Sequence, residues 1–505
     1  MFIFAAAFWL IAGGRAAFAN NVTIGNIALS EQNTTEKTVK AHFDVYWEHS
    51  WRNNINHDAL WLFIKYSKDS GISWAHATLK TAGLNPPGCA QGTGTPLDIV
   101  VPSDCKGAFL RRSENGSGPV TTTGVKLVWD WNADGLAVTD RVRVRIFAVE
   151  MVYVGAGAFY AGDYAATAAL KKGSADNDPW QITGESAIAV TNAVNHGTYY
   201  VSGGNSGEDP TGAVFTIPGA FPKGYNAFYA MKYEISEEAW AEFFSTLTDD
   251  QKSSRDITAT TGKNSQGVVN RNTISWSGGD AATSRPDRAC SFLSWMDLCA
   301  YADWAGLRPI TELEYEKMCR GSCAPVAGEY AWGNTMITAA ATLPAGNENG
   351  TETVLNASAN ACFGNTMFSQ GDGGLGPLRC GIFAAASTSR RGAGAGYYGN
   401  MELSGNLAER VVTIGNAQGR SFAGSNGDGL LTVTTGHAGN ATNTDWPGID
   451  ASPVNGVTGA AGAGFRGGDW SDDAAYLRVA DRSRAALASA VRADTYGGRC
   501  ARNAP

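Results

Sequence analysis

The C-terminal segment, residues 464–505, places the strongest constraint on how this chain can fold. It reads GFRGGDWSDDAAYLRVADRSRAALASAVRADTYGGRCARNAP. From Asp469 onward every acidic residue is Asp and every basic residue is Arg, and there is no Lys, Glu, Gln or Met. A frame of Gly, Trp and Arg residues alternates with short side chains of mixed character: Gly467, Gly468, Trp470, Arg478, Arg482, Gly498 and Arg499. A fixed frame with arbitrary fillings is typical of a surface whose side chains are free to vary.

Two local structures compete in this segment. Residues 472–494 have the composition of an Ala- and Arg-rich helix, since both residue types have high helix propensity. The frames on either side instead favour a segment held by tertiary contacts. We expect residues 477–482 to form a strand or an extended loop that is buried on one side, because pairing in a sheet overrides local propensity. A continuous helix over residues 472–494 would contradict this expectation.

Composition excludes several classes of protein. The 505 residues suffice for two or three domains, and 44% hydrophobic residues support folded cores. The 62 glycines and the charged fraction of 17% favour turns and short strands over long helices. The net charge of −8 and the isoelectric point near 5.4 argue against nucleic acid as a partner, because nucleic-acid-binding proteins present a basic surface.

Residues 1–19 are predicted to be a secretory signal peptide. An apolar stretch is followed by the small-residue sequence AFA, which ends at Ala19 and matches a signal-peptidase site. A transmembrane anchor, the alternative, needs about 20 consecutive apolar residues. Arg15 interrupts this stretch. We therefore predict an exported protein that is periplasmic, on the cell surface or secreted, with no transmembrane segment after cleavage.

Export makes disulfides the expected state of the nine cysteines. Cys89 and Cys105 flank a loop rich in Gly and Pro, and Cys362 and Cys380 bracket a second Gly-rich loop. We predict that each of these two pairs forms a disulfide. The remaining cysteines are odd in number, which leaves at least one free thiol. Two of them, Cys319 and Cys323, have a spacing that could suit zinc. No partner CxxC motif or His cluster accompanies them, so we expect no metal site.

Residues 20–148 are predicted to form an all-β sandwich. The sequences VTIGNIAL, HFDVYW, ALWLFIKY, VKLVWDW and VRVRIFAV each suit a strand, and clusters of Asn, Gly, Pro and Ser separate them. The tryptophans of this region suit a core, with a sugar-binding surface as the alternative. They are Trp47, Trp51, Trp61, Trp74, Trp129 and Trp131.

A short sequence in this region, DWNADG from Asp130 to Gly135, matches the start of a calcium-binding loop. The twelfth position, which supplies a bidentate carboxylate in EF-hands, is Arg141. A hairpin turn is therefore the preferred interpretation, and a structural calcium ion is the alternative. We expect no other cofactor.

The chain after residue 148 contains a series of longer motifs. In order they are MVYVGAGAFYAGD, FYAMKYEISEEAWAEFF, SFLSWMDLCAYADWAGLRPITELEYEKMCRG, EYAWGN, MELSGNLAER and GFRGGDW. Together they resemble the formylglycine-generating-enzyme-like family, whose fold is related to the C-type lectin fold. Ser236 is predicted to cap one helix, and Thr311 with Glu314 to form a capping box at another. The fold class is therefore α+β, with the β-sandwich followed by a second domain at residues 149–505.

The resemblance does not extend to the family's catalytic groups. Its enzymes use two cysteines shortly after the RGG motif, because copper(I) and a substrate thiol need soft thiolate ligands. Counted along this sequence, those positions are Asp472 and Leu477, so both thiols are missing. The family's iron-dependent branch needs a histidine triad, and the six histidines here lack the H-x₃-H spacing. The motif GxSxG of serine hydrolases is also absent. We predict that the protein is not an enzyme.

Residues 464–505 resemble the variable region of target proteins of diversity-generating retroelements. In those proteins adenine-directed mutagenesis rewrites Asn codons and never produces Lys, Glu, Gln or Met. The resemblance implies a receptor-like or adhesin-like protein whose ligand, a protein or glycan at a cell or phage surface, contacts a diversified face. The residues predicted to point outward are Asp469, Ser471, Asp472, Asp473, Ala475, Tyr476, Ser483, Arg484, Ala485, Ala486, Ser489, Ala493, Asp494, Thr495 and Tyr496. The residues predicted to anchor the backbone are Trp470, Arg478, Arg482 and Arg499.

Two other functions fit the sequence. One is an enzyme of this family with an altered active site. The other is a structural surface-adhesion component that uses its C-terminal segment for contacts between copies. A continuous exposed apolar surface there favours contacts between copies, whereas a mixed polar and aromatic surface favours ligand binding.

Overall fold

The protein is described by a computed structural model that covers residues 22–165, 169–346 and 348–505. The predicted signal peptide, residues 1–19, lies outside the described residues. Within them, none of the helices combines the length and the apolar character needed to span a bilayer.

The N-terminal part consists of two antiparallel sheets that face each other. Its strands are β1 (Thr23–Asn33), β2 (Thr38–Arg52), β3 (Asp58–Ser67), β4 (Ala75–His76), β5 (Gly83–Leu84), β6 (Thr93–Gly94), β7 (Leu97–Val101), β8 (Ala108–Arg112), β9 (Gly116–Trp129) and β10 (Arg143–Val154). One sheet has four strands in the order β1-β2-β9-β6. The alternating side chains of β2, among them Phe43, Val45 and Trp47, pack against Leu60 and Leu62 of β3 in the core between the sheets. The predicted β-sandwich is confirmed.

The second sheet continues beyond the sandwich. It has nine strands, and its main path runs from β5 through β7, β8, β3 and β10 into three strands of the C-terminal part. The predicted domain boundary after Ala148 therefore falls inside β10, which pairs with β3 on one side and with Phe228–Met231 on the other. All ten residues of β3 are buried, because one face of this strand packs in the sandwich and the other against the C-terminal part.

The C-terminal part combines short strands with short helices. Its strands are β11 (Phe159–Ala161), β12 (Trp180–Ile182), β13 (Ile188–Val190), β14 (Phe215–Ile217), β15 (Phe228–Met231), β16 (Arg308–Pro309), β17 (Ala408–Val412), β18 (Ala463–Arg466), β19 (Tyr496–Gly497) and β20 (Cys500–Asn503). Its helices are α1 (Glu237–Phe244), α2 (Asp249–Arg255), α3 (Trp295–Trp304), α4 (Glu312–Arg320) and α5 (Ala417–Arg420), with single 3₁₀ turns at Pro453–Asn455 and Ala474–Leu477. The predicted α+β class is confirmed.

Side-chain caps start these helices where the sequence predicts them. The Ser236 hydroxyl accepts a hydrogen bond from the Ala239 amide at the start of α1. At α4, Thr311 and Glu314 bond to each other's backbone amides as a capping box. Both predicted caps are confirmed.

The Asp130–Gly135 sequence forms a turn whose carboxylates are occupied by protein donors. Asp130 accepts from the Ala133 amide and pairs with Lys80 at 2.8 Å. Asp134 accepts from Trp129 Nε1 at 2.6 Å and from the Thr78 amide at 2.9 Å. The turn is not a hairpin, because β9 and β10 belong to different sheets. The tryptophans around it are mostly core residues, and only Trp51 and Trp74 of the six are partly exposed.

The two predicted disulfides, Cys89–Cys105 and Cys362–Cys380, are not formed. All nine cysteines lie within the described residues and have free thiols. The thiols of Cys362 and Cys380 are directed toward two different carbonyl oxygens, those of Gly376 at 3.8 Å and Glu234 at 3.7 Å. The prediction rested on the spacing of these cysteines along the chain. In the folded protein, packing directs their side chains toward different partners.

Candidate functional site

The C-terminal segment forms an irregular surface loop between two strands. The segment leaves the three-stranded sheet at β18 and runs through the 3₁₀ turn at Ala474–Leu477. It re-enters that sheet at β19 and ends in β20 of the nine-stranded sheet. No helix covers residues 472–494, all of which the structure describes. In the stretch from Leu477 to Arg482, buried side chains alternate irregularly with half-buried ones. This stretch is not a continuous helix, but it is not extended either: it is the end of the 3₁₀ turn followed by a second turn, in which the neighbouring residues Val479 and Ala480 are both buried.

Arg482 attaches this loop to helix α4. Its guanidinium donates to both carboxylate oxygens of Glu312, at 3.0 and 3.1 Å, and to the Val201 carbonyl at 2.6 Å. Burial opposes ionisation of Glu312, but Arg482 and then Arg466 outweigh it, so the pKa of Glu312 is lowered. Arg482 therefore fixes the middle of the loop to the scaffold through a charged pair in the interior.

Arg466 holds the start of the loop in the same way. Its Nη2 donates to Glu316 at 2.7 Å and to the Val479 carbonyl at 2.5 Å. Glu312 and Glu316 are four residues apart on α4, so both carboxylates lie on one face of the helix. This acidic face holds two of the loop's arginines.

Arg499 holds the end of the loop. It is fully buried and donates to Glu409 of β17 at 2.7 Å from Nε and to the Met401 carbonyl at 2.6 Å. Arg478, the fourth predicted anchor, is half-buried beside Gly328. Of the predicted arginine anchors, Arg482 and Arg499 are thus interior residues and Arg478 lies nearer the surface.

Trp470 and Arg410 hold the loop by its backbone. Trp470 is 6% exposed and donates from Nε1 to the Asp494 carbonyl at 3.1 Å. Arg410 of β17 donates to the carbonyls of Ser489 and Val491 at 2.8 and 2.9 Å. Burial lowers the pKa of Arg410 to about 10, which keeps it charged at neutral pH.

Gly464, at the start of the segment, lies where two backbones approach closely. A Cβ atom at this position would lie 1.8 Å from the Ala485 carbonyl oxygen, which is closer than any side chain can approach. The amide of the next residue, Phe465, donates a hydrogen bond to the Arg484 carbonyl at 2.9 Å. The returning loop therefore packs directly on the backbone of β18.

Most of the residues predicted to point outward do reach solvent. Tyr476 is 39% exposed, whereas Tyr496 is half-buried. The exposed or half-buried members are Ser471, Asp473, Ala475, Tyr476, Ser483, Arg484, Ser489, Ala493, Asp494, Thr495 and Tyr496. We call these eleven residues the display face.

Four predicted outward positions are buried: Asp469, Asp472, Ala485 and Ala486. The carboxylate of Asp469 turns inward to accept from the amide and hydroxyl of Ser471. The backbone of Ala485 lies against Gly464 of β18, and the Ala486 side chain lies near Gly415. For these four residues the prediction of an exposed side chain was wrong, because the loop folds back onto the sheet at these points.

A charged cluster lies at the centre of the display face. Arg484 donates to both oxygens of Asp472, at 2.8 and 2.7 Å, and its guanidinium lies 4.6 Å from the centre of the Tyr476 ring. Burial, and then the nearby Asp472 carboxylate, raises the pKa of Asp469 to about 6. Tyr476 and Arg484 line a small depression together with Phe465 and Asp481. The cluster offers the Arg484 guanidinium and the Tyr476 ring to a ligand, while the Asp469 and Asp472 carboxylates beside them are buried.

Several residues that build this site were not predicted. They are Arg410, Glu312 and Glu316, which bond to the loop from outside residues 464–505. Arg492, inside the segment, makes a buried pair with Asp297, the capping-box residue of α3, at 2.6 and 2.8 Å. The spacing of Glu312 and Glu316 was a usable signal, since two acids on one face of an otherwise buried helix require cationic partners.

The positions of the family's catalytic cysteines have structural roles here. Asp472 is paired with Arg484, and the Leu477 side chain is fully buried in a hydrophobic cluster with Tyr315 and Met318. Among the residues that the structure describes, no group of three or more His, Cys, Asp or Glu side chains is arranged to hold a metal ion.

Comparison with known proteins gives one match that covers most of the chain. Residues 148–504 match the family described as the sulfatase-modifying factor enzyme 1-like domain. The match starts one residue before the predicted second domain. It covers the same motifs from which the sequence predicted a C-type-lectin-related fold.

Matches to individual proteins are shorter or more distant. A stretch of 58 residues is 41% identical to the formylglycine-generating enzyme of Thermomonospora curvata and covers 12% of this chain and 18% of that enzyme. A stretch of 54 residues is 44% identical to the corresponding enzyme of Streptomyces coelicolor and covers 11% and 17%. The chain thus spans less than a fifth of the length of each curated relative. A solved structure, Treponema denticola variable protein 1, is 12% identical with a TM-score of 0.33, over 73% of this chain and 98% of that one.

Proposed function

Since this chain belongs to the family of sulfatase-modifying factor enzyme 1-like domains, we propose that it uses the family fold as an exported ligand-binding protein whose display face is diversified by a retroelement. The ligand is a protein or glycan at a cell or phage surface. The protein is receptor-like or adhesin-like and not an enzyme.

One observation carries this proposal: scaffold side chains hold the display face by its carbonyl groups. Arg410 bonds to the carbonyl of Ser489, and Trp470 to that of Asp494. Outside the segment, Asn205 Nδ2 donates to the Ser483 carbonyl at 2.9 Å. A carbonyl group is the same in every residue type, so these bonds survive replacement of the side chain. This is the arrangement that a surface with changing side chains requires.

The mix of side chains on the display face supports ligand binding over contacts between copies. Tyr476 and Tyr496 supply large rigid contact areas, and Asp473, Arg484 and Asp494 supply polar specificity, as in antibody combining sites. The display face mixes aromatic, charged and hydroxyl side chains, whereas surfaces that join copies of a chain present continuous apolar patches. Such a surface suits a polar or mixed ligand.

Binding is tested by screening the protein, without residues 1–19, against arrays of surface glycans and surface proteins. For a ligand found in this way, Tyr476→Ala should weaken binding by more than about 1 kcal/mol, because buried tyrosines dominate such interfaces. Val433→Ala is the matched control, since Val433 is 82% exposed and lies outside the segment. If both variants bind the ligand equally well, the ligand binds outside the display face and the proposal is contradicted.

Diversification and the absence of activity have separate tests. The gene should lie beside a reverse-transcriptase gene and a near-repeat of its own 3′ end, and the absence of both would contradict diversification. The purified protein, supplied with copper and oxygen, should leave a sulfatase-type Cys peptide unchanged by mass spectrometry. Aldehyde formation on that peptide would show that the family's chemistry persists without thiols at Asp472 and Leu477.

A further inference from the structure

Two loops meet at one end of the β-sandwich. The first, residues 68–74, joins β3 to β4, and the second, residues 130–142, joins β9 to β10. Lys68 Nζ of the first loop pairs with the Asp140 carboxylate of the second at 3.0 Å. This pair holds the loops side by side, so their exposed side chains form one surface. We call the two loops, together with Arg143 at the start of β10, the loop end.

Each of the two loops exposes an aliphatic side chain. Ile72 is 72% exposed in the first loop, and Val138 is 52% exposed in the second. Trp74, in the first loop, is half-buried. The Arg145 guanidinium of β10 lies 4.7 Å from the centre of the Trp74 ring and holds the ring in place. Tryptophan is enriched at the interface of bilayers, where exposed apolar side chains also insert, so the loops have the composition of a membrane-binding tip.

Hydrogen bonds within each loop fix the backbone of these tips. The Asp69 carboxylate accepts from the amides of Ile72 and Ser73, at 3.1 and 3.0 Å. The Asp140 carboxylate accepts from the Ala137 amide at 2.9 Å. Both loop carboxylates therefore have partners inside the loop end. Because the tips are already ordered, little conformational entropy is lost when they bind a surface.

Basic side chains accompany the apolar ones. Lys68, Arg141 and Arg143 are exposed and outnumber the two loop carboxylates, although the whole chain has a net charge of −8. Arg143 lies beside the first loop, since a Cβ atom on Gly71 would lie 3.6 Å from its Nη1. Neither of the two arginines pairs with a carboxylate in the described part of the chain. Both are suited to the phosphates of anionic lipids, which guanidinium groups bind in a bidentate manner.

We propose that the loop end binds the surface of an anionic phospholipid bilayer. Ile72 and Val138 enter the boundary between headgroups and acyl chains, and Trp74 lies at the level of the headgroups. Arg141 and Arg143 donate to lipid phosphates. Apolar insertion and electrostatic attraction act together, because either one alone gives only weak attachment. This attachment does not depend on ligand binding at the display face, to which none of these residues belongs.

The test is co-sedimentation of the protein without residues 1–19 with vesicles of phosphatidylglycerol and phosphatidylcholine in equal parts. The protein should bind these vesicles about tenfold more tightly than vesicles of pure phosphatidylcholine. Added salt should weaken the binding, because it screens the arginines from the headgroups. Equal binding to the two kinds of vesicle, or binding to neither, would overturn the proposal. Retention on a sulfated polysaccharide without binding to vesicles would assign the arginines to a glycan and would overturn it as well.

Single substitutions locate the contact. Arg143→Gln should weaken binding to the mixed vesicles about fivefold, since one basic residue near an anionic surface contributes about that factor. Arg391→Gln, which removes an exposed arginine of the C-terminal part, is its matched control and should leave binding unchanged. Ile72→Ser should weaken binding about tenfold, whereas Val433→Ser, at a valine that is 82% exposed outside the loop end, should not. Unchanged binding in either Arg143→Gln or Ile72→Ser would contradict the assignment.

Brominated acyl chains test insertion directly, because bromine quenches tryptophan emission only at short range. Mixed vesicles that contain brominated phosphatidylcholine should quench part of the emission of the bound protein. Trp74→Phe keeps an aromatic ring at the loop end, so this variant should still bind, but the quenching should disappear. Quenching that persists in Trp74→Phe would show that another part of the chain enters the bilayer and would contradict the proposal.

Discussion

Arg482 and Glu312 are joined by two hydrogen bonds, of 3.0 and 3.1 Å, in the interior of the protein. Glu312 is the first residue of α4, where the helix dipole also favours a carboxylate. The same carboxylate accepts from the hydroxyl of Thr413 at 2.8 Å. Glu312 thus connects the C-terminal loop, helix α4 and the residue that follows strand β17.

Arg482→Ala should lower the free energy of unfolding by about 3–5 kcal/mol, because it leaves Glu312 buried without its main partner. Chemical denaturation followed by tryptophan fluorescence measures the effect. Arg141→Ala, which removes an exposed arginine, should change stability by no more than about 0.5 kcal/mol. Similar losses in both variants would mean that the Arg482 pair is not a stabilising anchor.

Tyr476 and Tyr496 should differ in stability although both belong to the display face. Tyr496 packs on Phe465 with ring centres 4.3 Å apart, and Arg410 lies 5.1 Å from its ring. Tyr496→Ala should therefore cost about 2 kcal/mol, somewhat less than loss of a fully buried aromatic residue. Tyr476→Ala should cost no more than about 0.5 kcal/mol. Thermal melts of the two variants measure the difference, and equal melting temperatures would contradict it.

Asp469 should titrate near pH 6, since burial and then Asp472 raise its pKa. Its folded pKa lies above the value of about 3.9 for an unfolded chain. Its contribution to stability is therefore fully present below about pH 4 and is lost as the pH rises through 6. Carbon NMR of labelled aspartate side chains measures the midpoint. In Asp472→Asn the midpoint should fall, and an unchanged midpoint would remove Asp472 as a cause.

Thiol labelling should distinguish three groups of cysteines. Cys323 is exposed and should react with maleimide in the native protein within minutes. Cys89 and Cys105 are half-buried, and burial raises the pKa of both thiols, so they should react more slowly because thiolate is the reactive form. The buried cysteines should react only after unfolding: Cys290, Cys299, Cys319, Cys362, Cys380 and Cys500. Peptide mapping that finds Cys362 linked to Cys380 would contradict the free thiols seen here.

Local signals in the sequence predicted local structure well. The capping box of Thr311 and Glu314 lies within four residues, and its geometry depends on nothing distant. The absence of a helix over residues 472–494 was also predictable, because the glycine and arginine frame outweighed the propensity of the alanines. The anchoring roles of Trp470, Arg482 and Arg499 followed from the same frame.

Long-range packing was not predictable from one sequence. Asp469, Asp472, Ala485 and Ala486 have the same residue types as their exposed neighbours, and only the return of the loop onto β18 buries them. The continuation of the sandwich sheet past Ala148 depends on pairing of β10 with β15, which are more than 70 residues apart. The carboxylates that pair with Arg466, Arg482 and Arg499 lie on α4 and β17. These elements are far from the loop in sequence, so no local pattern indicates the pairing.

The shared sheet also determines how the protein carries mechanical load. A pull on a ligand at the display face reaches β20, which follows the last display residue by only a few positions. From β20 the tension passes sideways through three antiparallel pairings, to β15, to β10 and to β3, before it reaches the centre of the sandwich. The force is spread over many backbone hydrogen bonds and no flexible linker bears it alone. In the receptor proposed above, these paired strands would resist force on a bound ligand, so the lifetime of the complex under flow would depend on the contacts at the display face and not on extension of the chain behind it.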